Sequence, residues 1–422
     1  MPTIPGSAGR TNRPTDDAAA PPAGDALPGR SGLSSASAVD DLFDGGPALK
    51  LQARIGLLRP GKFHGATRAL LFVVFTWLPL LILAAIEGTL RGREGGIHFL
   101  LDLGSVGRYV VAGPLMIAGE AVCIVMLGKI VRRLVELCET EGVDSSSFLD
   151  VLSSIRRWRD APMAEVVVVL AAFGVSFAVI RAAPPSQLPV WHGAGADRAS
   201  LSLAGWWYAL VSLPLLLMLI LGWAWRLVLW IRVLVAAARL RLHLVAVHPD
   251  KSGGLGFFGR SVRAFALFGA ALGAIVAGTV ANEVVHRGAP LVEFKYMILA
   301  LVAGTVVVFT GPLLILTPML HAAWRRGAHE YDELATAFGL EFERAWFARR
   351  KPRDQSLLER EDFSAATDLY QVVDRVHDMR LIPVEYKSVA VLAGATLLPF
   401  VPVVIIALPF DVMLHTLVGL LR

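Results

Sequence analysis

The sequence predicts an all-α, polytopic membrane helix bundle with about seven transmembrane helices and helical extensions on the cytosolic side. Three observations lead to this prediction. Of the 422 residues, 55% are hydrophobic, above the roughly 45–50% that is usual for soluble domains. Seven apolar stretches are each long enough to cross a bilayer, and Lys and Arg concentrate in alternate loops between them.

The apolar stretches define the predicted spans. Each must hold about 20 apolar residues, because the hydrocarbon layer is about 30 Å thick and an α-helix rises about 1.5 Å per residue. The segment 411–422 is either an extension of the last span or a surface helix. The stretches that satisfy this length cover roughly residues 66–87, 109–128, 162–182, 203–225, 264–285, 296–320 and 388–410.

The basic residues predict the orientation. Lys and Arg precede the first span and fill the second, fourth and sixth loops, whereas the other loops contain few of them. The positive-inside rule therefore places the amino terminus in the cytosol and the carboxyl terminus outside. The excess of Arg over Lys and the abundance of Ala indicate a bacterial chain, which implies the inner (plasma) membrane. The pI near 9.4 then predicts contact with anionic lipids of the inner leaflet and not with nucleic acid.

The chain divides into three parts. Residues 1–48 are rich in Pro, Gly, Ala, Ser and Asp and lack an apolar run, so they predict a disordered cytosolic tail. Residues 49–64 predict a short interfacial helix, since apolar positions fall on one side and basic positions around it. Residues 65–422 form the seven-span membrane domain. Its cytosolic helical layer is predicted from segments 129–161, 226–263 and 322–387.

Helical periodicity outside the apolar stretches predicts the shape of this layer. The second span continues to Cys138 and breaks at Gly142. The fourth span is predicted to remain helical to about Val247, and the sixth to continue through residues 324–350. A separate amphipathic helix is predicted at 362–380.

The two cysteines, Cys123 and Cys138, fall on the same predicted helix. Fifteen residues of helix would hold them about 22 Å apart, which excludes a disulfide between them. Reduced, non-catalytic thiols are therefore expected.

Ionisable residues inside the spans are the first functional candidates. Glu120 lies near the middle of the second span, where an ionised carboxylate facing lipid would cost roughly 3 kcal/mol or more. We therefore expect Glu120 to point into the bundle, either to handle a proton or cation or to form a structural bond between helices. Arg181, Asn282 and Glu283 lie near the outer ends of their spans and predict either an external vestibule or ordinary interfacial solvation.

Span five contains a ridge of small residues at four-residue spacing. Such a ridge permits close approach of another helix. The partner is either a helix of the same subunit or a second copy in a homo-oligomer. The ridge consists of Gly269, Gly273, Ala277 and Ala281.

The most distinctive segment outside the spans covers residues 248–259 and reads HPDKSGGLGFFG. Its glycines permit positive φ and expose backbone N–H groups, so the loop is a candidate site for an anion or a lipid phosphate. A rigid connection between helices and a metal site at His248 and Asp250 are the alternatives. The segment matches neither glycine-rich nucleotide-binding motif. The candidate residues are His248, Asp250, Lys251, Gly253, Gly254, Gly256 and Arg260.

This segment resembles the HPD...GGLGF segment that follows the fourth span in a family of uncharacterised bacterial multi-span membrane proteins. The resemblance extends over spans four to seven. It implies the same membrane fold for this chain, and it implies no activity.

The predicted 362–380 helix contains a possible divalent-metal site. Asp374 shares a helix face with His377 and with Asp378, so two ligands could converge on one ion. Alternating charges on a surface helix give the same pattern without a metal. No cofactor is predicted, and the absence of HExxH, GxSxG and CxxC motifs argues against the easily recognised metalloprotease, hydrolase and redox enzymes.

Transport or channel activity for an ion, a small solute or a lipid is the leading functional hypothesis. It depends on Glu120, the prolines within the spans and the small-residue ridge. One alternative is a membrane-embedded enzyme that acts on lipid head groups at the inner face, using residues 248–259 with Asp374, His377 or Asp378. Another is a signalling or scaffold protein that binds a partner through its cytosolic layer.

Overall fold

The computed structural model describes residues 42–43, 45, 65–91, 97–143, 146–182, 189–194, 200–347 and 361–407. Nearly all of these residues are helical, and seven helices are long and apolar enough to cross a membrane. The predicted all-α polytopic fold is therefore confirmed. Spans 1 to 7 are Gly65–Ile86, Leu103–Thr140, Pro162–Ala182, Leu203–Ala238, Gly256–Arg287, Leu291–Arg344 and Tyr386–Ala407.

The ends of the spans form two faces. The face at which span 1 begins and span 2 ends is called the basic face, because the Arg-rich loops lie there. Two further helices belong to it, Ser146–Arg159 and Glu361–His377. The opposite face, called the far face, contains an antiparallel pair of short strands, Gly193–Ala194 and Ser200–Leu201.

Spans 2, 4 and 5 form the centre of the bundle. Their most apolar windows are 50%, 56% and 67% buried, whereas those of the other four spans are 17–28% buried. Span 1 packs on spans 2 and 4, span 3 packs on span 4, and span 5 lies between spans 2 and 7. Large apolar side chains such as Leu170 and Leu299 remain exposed on the outer spans. In a bilayer these side chains would face the lipid.

The small residues of span 5 allow spans 5 and 7 to approach closely. A Cβ atom on Gly269 would lie 2.6 Å from Thr396 Oγ1, and one on Gly273 would collide with the Thr396 carbonyl oxygen. On another side of span 5, Gly278 meets Gly107 of span 2. The ridge therefore packs within the chain, which is one of the two predicted alternatives.

The breaks in the helices of spans 1, 2 and 4 each lie just before a proline. Span 1 is interrupted at Trp77, just before Pro79. In spans 2 and 4, π-helical turns at Val106–Ala112 and Tyr208–Ser212 precede Pro114 and Pro214. A proline has no N–H to donate and its ring crowds the preceding turn, so the helix widens or opens there.

The predicted extension of span 4 to Val247 is wrong. The helix ends at Ala238, and the following residues 241–246 alternate between exposed and buried. That alternation is the signature of an extended chain, and the sequence RLRLHL at 239–244 already shows it. The backbone N–H of His243 donates to Glu141 Oε2 at 2.9 Å, which ties this extended segment to the end of span 2.

The other extensions agree with prediction. Span 2 continues past Cys138, and the chain then turns at Gly142, where φ is +64°. Both cysteines are buried free thiols. Span 6 continues as the helix Thr317–Phe347, which packs against Glu361–His377.

The amino-terminal prediction is only partly covered. Leu42 and Phe43 are buried, and the Phe43 ring lies 6.1 Å from that of Trp230. At these two positions the segment predicted as a disordered cytosolic tail is buried, and the Phe43 ring contacts span 4. The predicted interfacial helix at 49–64 and the segment 411–422 lie outside the described residues.

Candidate functional sites

Glu120 belongs to a buried ionic cluster. Arg68 Nη2 of span 1 donates to Glu120 Oε2 at 2.8 Å. Arg226 Nη2 of span 4 lies 3.0 Å from Oε1, an ionic contact without hydrogen-bond alignment. The side chain of Arg68 is 4% exposed, that of Glu120 is 1% exposed and that of Arg226 is 5% exposed. This Arg68–Glu120–Arg226 cluster joins spans 1, 2 and 4.

The cluster lies near the basic face and not at the middle of the bundle. Arg68 is in the first described turn of span 1, whereas Glu87 at the other end contacts Leu203 at the far face. The helical distance from Arg68 to Glu87 is about 28 Å, nearly the full thickness of a hydrocarbon layer. Glu120, bonded to Arg68, is therefore far from the midplane position expected from its place in span 2.

The composition of this cluster is that of a structural ionic contact between helices. Two guanidinium groups face one carboxylate, and the guanidinium carbon of Arg226 also lies 5.4 Å from the ring centre of Trp223. Sequence reasoning missed both arginines because it assigned them to loops. Arg226 could have been noticed, since it stands within the apolar run of span 4.

In the loop 248–259, backbone N–H groups donate hydrogen bonds to the side chain of Asp250, which belongs to the same loop. Asp250 Oδ1 accepts hydrogen bonds from the backbone N–H groups of Ser252 at 2.8 Å and Gly254 at 3.1 Å. Its Oδ2 accepts one from Gly256 N–H at 2.8 Å. The exposed N–H groups that the sequence offered to an external anion are thus occupied by Asp250. His248 Nδ1 lies 2.8 Å from the same carboxylate.

These contacts set the charge of Asp250. Burial opposes its ionisation, but the hydrogen bonds from Gly256, Ser252 and Gly254 outweigh burial. The pKa of Asp250 therefore lies below its ordinary value, and the residue is a carboxylate at neutral pH.

Lys251 joins the loop to the segment after the helix Glu361–His377. Lys251 Nζ contacts Asp378 Oδ2 at 2.7 Å, and Arg380 N–H donates to the Lys251 carbonyl at 2.6 Å. The hydrogen bond and the charge of Lys251 lower the pKa of Asp378. Lys251 itself has a φ of +55°, which is rare for a residue with a side chain. The loop and the segment after residue 377 therefore form one unit.

A pocket of about 320 Å³ opens where these two segments meet the starts of spans 5 and 7. Its acidic residues are already engaged, since Glu385 accepts from Arg263 at 3.0 Å and from Ser388 at 2.9 Å. Among the described residues, Arg260 and Arg380 have no carboxylate within ion-pair distance, and both are exposed. The pocket lining therefore combines two guanidinium groups outside ion pairs with two carboxylates that are already engaged. Its lining includes Asp250, Ser252, Phe257, Arg260, Arg380 and Glu385.

Two of the three predicted metal ligands, His377 and Asp378, make other contacts. Asp378 turns to Lys251, and His377 Nδ1 lies 3.1 Å from the Val373 carbonyl. His377 Nε2 is 3.7 Å from Asp332 of span 6. In the part of the chain that the structure describes, no three His, Cys, Asp or Glu side chains, including Asp374, form a group that could hold a metal.

At the far face, only one of the predicted polar residues enters a cluster. Asn282 Nδ2 donates to Asp102 Oδ1 at 2.7 Å, and its Oδ1 accepts from Leu103 N–H at 2.8 Å. Glu283 pairs with Arg287 one turn away, and the guanidinium of Arg181 lies over the ring of Phe177 at 5.1 Å. The structure therefore does not bring the predicted vestibule residues together.

Asp102 is the centre of this far-face cluster, and sequence reasoning missed it. It is fully buried and accepts from Ser105 N–H at 3.1 Å and Trp191 Nε1 at 3.2 Å in addition to Asn282. Arg108 Nη2 lies 3.9 Å away. Asp102 stands just outside the apolar run of span 2, so hydropathy alone gave no reason to select it.

No protein-family model, curated protein or solved structure matches this chain. The functional conclusion therefore depends on the described side chains.

Proposed function

We propose that this chain is a multi-pass protein of the bacterial inner membrane, with a cytoplasmic amino terminus, that binds the phosphate of an anionic lipid head group at its basic face. The observation that supports this most directly is the pocket lined by two exposed guanidinium groups, Arg260 and Arg380, that have no carboxylate within ion-pair distance among the described residues. Guanidinium groups bind phosphate oxygens through paired, charge-assisted hydrogen bonds.

The position of the pocket favours a lipid as the source of the phosphate. Span 5 begins at Gly256 and span 7 at Tyr386, so the pocket walls lie where two spans enter the apolar layer. The partly buried ring of Phe257 adds an apolar surface beside the charges. A head group held there would leave its acyl chains beside the outer surface of the bundle.

Among the transport substrates considered from the sequence, this geometry favours a lipid over an ion. The hypothesis of proton or cation transport depended on a lone carboxylate, and Glu120 is paired with two arginines. The resemblance to bacterial multi-span proteins with an HPD...GGLGF segment is consistent with the proposal and adds no activity to it.

One observation favours a lipid-modifying enzyme as a second candidate. The loop and Asp378 meet beside the pocket, as such an enzyme would require. The acidic residues in the pocket wall are nevertheless engaged, Asp250 by three backbone N–H groups and Glu385 by Arg263 and Ser388. Binding is therefore proposed ahead of catalysis.

The experiment compares lipid retention by two double variants. Protein is released from nanodiscs containing equal amounts of phosphatidylglycerol and phosphatidylcholine, and bound lipid is counted by native mass spectrometry. We expect the wild type to retain phosphatidylglycerol selectively. The variant Arg260→Gln/Arg380→Gln should lose about tenfold in this selectivity, because two charge-assisted contacts disappear.

The matched control is Arg239→Gln/Arg241→Gln, which removes two exposed arginines from the same face outside the pocket. It should retain phosphatidylglycerol as the wild type does. Equal loss in both double variants would show a diffuse charge effect and contradict the proposed site. Unchanged retention in the pocket variant would contradict it as well.

A further inference from the structure

The two π-helical turns of the bundle face each other. Val106–Ala112 in span 2 and Tyr208–Ser212 in span 4 both lie toward the far face. The ring of Tyr109 meets that of Tyr208 edge to face, with 6.5 Å between centres. π-Helical turns are rare and occur frequently at functional sites.

Polar atoms around this contact are buried without partners. The Tyr109 hydroxyl and His192 Nε2 have no hydrogen-bond partner among the described residues, and Tyr109 is 0% and His192 5% exposed. Arg108 Nε lacks a partner too, although its side chain is 22% exposed. Buried polar atoms in proteins nearly always have a hydrogen-bond partner, so these three atoms indicate a site for another molecule.

The rings of Tyr109 and His192, which carry two of these atoms, pack against neighbouring aromatic rings. The centre of the Tyr208 ring lies 4.4 Å from that of His192 and 5.8 Å from that of Trp191. The imidazole and indole rings meet at 3.9 Å. The carboxylate of Asp102 accepts hydrogen bonds from Trp191 and Asn282. It therefore does not occupy both the Arg108 Nε and the Tyr109 hydroxyl donors. These rings and the hydrogen-bond donors beside them are called the aromatic box. It consists of Tyr109, Tyr208, Trp191 and His192, with Arg108.

The chemistry of the box identifies a class of ligand. Arg108 Nε can only donate, and the Tyr109 hydroxyl can donate, so the ligand must offer acceptor atoms. One guanidinium is present and Arg108 Nη2 is already 3.9 Å from Asp102, so a monoanion matches the charge of the site better than a dianion such as phosphate. Burial and the charge of Arg108 lower the pKa of His192 to about 3, so its ring adds no positive charge at neutral pH.

We infer that the far-face cluster binds a small monocarboxylate, whose oxygens accept from Arg108 Nε and the Tyr109 hydroxyl while its carbon chain lies against Tyr208 and Trp191. The partly exposed Arg108 provides the way in from the far face. This site lies at the opposite end of the bundle from the head-group pocket and is independent of the proposed lipid binding.

The test measures propionate binding to the full chain in detergent by isothermal titration calorimetry at constant ionic strength. The wild type should bind propionate. Tyr109→Phe, which removes only the hydroxyl, should weaken binding roughly 10- to 100-fold, as expected for a lost hydrogen bond to a charged group. Arg108→Lys keeps the charge but removes Nε, and it should weaken binding similarly; its partial exposure makes it the second variant if Tyr109→Phe does not fold.

The control is Tyr370→Phe, an exposed tyrosine on the helix Glu361–His377, which should bind propionate as the wild type does. Phosphate at the same concentration should not compete. The inference is overturned if the wild type does not bind propionate, or if the variants of Tyr109 and Arg108 bind it unchanged. It is also overturned if a map of the protein with propionate shows only ordered water at the Tyr109 hydroxyl.

Discussion

Two buried carboxylates, Glu120 and Asp102, show how single residues are stabilised inside this bundle. Glu120 contacts two guanidinium groups, and Asp102 accepts hydrogen bonds from Ser105, Trp191 and Asn282. An isolated buried charge is costly, because the charge loses its hydrating water and gains no partner in exchange. The partners of Glu120 lie on spans 1 and 4, and those of Asp102 include Asn282 on span 5 and Trp191 between spans 3 and 4. Each carboxylate therefore also joins separate parts of the chain.

Removing the charge of Glu120 should destabilise the protein strongly. Glu120→Gln removes the buried carboxylate that contacts both Arg68 and Arg226, and breaking a buried pair in this way costs about 3–5 kcal/mol. The measurement is the free energy of unfolding in mixed micelles. The matched control is Glu136→Gln on the same span, where the carboxylate is 51% exposed beside Arg133 and should cost less than about 1 kcal/mol. Equal small losses in the two variants would contradict a structural role for the cluster.

Of the residues in these two clusters, the sequence pointed to Glu120 but not to Arg68, Arg226 or Asp102. Glu120 was recognised because an acid interrupts an apolar run, and that signal is local. Arg68 and Arg226 were assigned to loops, because hydropathy does not show how far one span is shifted against the next. Asp102 stands at a span edge, where polar residues are ordinary. The partners of a buried charge depend on helix register, which a single sequence does not display.

At the scale of elements, prolines and small residues determine how the spans bend and approach. Pro79 cannot donate to the carbonyl of Phe75, and Trp207 Nε1 of span 4 donates to that oxygen at 3.2 Å instead. Ser212 Oγ donates to the Thr76 carbonyl at 2.7 Å in the same region. Breaks in a span are therefore satisfied by side chains of a neighbouring span, as the apolar environment requires.

The close contact of spans 5 and 7 predicts the effect of one methyl group. Gly273→Ala should destabilise the protein by about 1–3 kcal/mol, because the new Cβ collides with the backbone carbonyl of Thr396 and the helices must separate. Gly304→Ala in span 6 is the control, since no atom lies within 4 Å of a Cβ there. It should be neutral or slightly stabilising, because alanine favours helix over glycine. Thermal unfolding in detergent measures both, and a loss no greater at Gly273 than at Gly304 would show that the contact is not tight.

At the scale of the whole molecule, polar clusters lie at both ends of an apolar bundle. The basic face holds the Arg68–Glu120–Arg226 cluster and the pocket at Arg260 and Arg380. The far face holds the Asp102 cluster. The three central spans connect the two ends, and the four outer spans surround them. This division is expected for a chain whose middle layer excludes water.

The orientation of the molecule can be tested with reporters. Tags inserted at positions 195 and 290, in the loops that follow spans 3 and 5, should report the outside of the cell, because the arginine-rich loops are retained in the cytosol. Tags at 143 and 240 on the basic face should report the cytosol. If the tags at 195 and 290 both prove cytoplasmic, the proposed orientation and the inner-leaflet lipid site are both wrong.

The sequence by itself determined the helical class, the number of spans and their approximate limits, because hydropathy and length are local properties of the chain. The sequence also contains the alternation of basic and apolar residues at 239–244, which indicates an extended chain and therefore the end of the span 4 helix. Only the tertiary structure decided that Arg68, Glu120 and Arg226 meet, that Asp250 occupies its own loop, and that Tyr109 faces Tyr208. Those contacts depend on the rotation and register of helices, which packing at glycines, prolines and polar side chains fixes after the spans have formed.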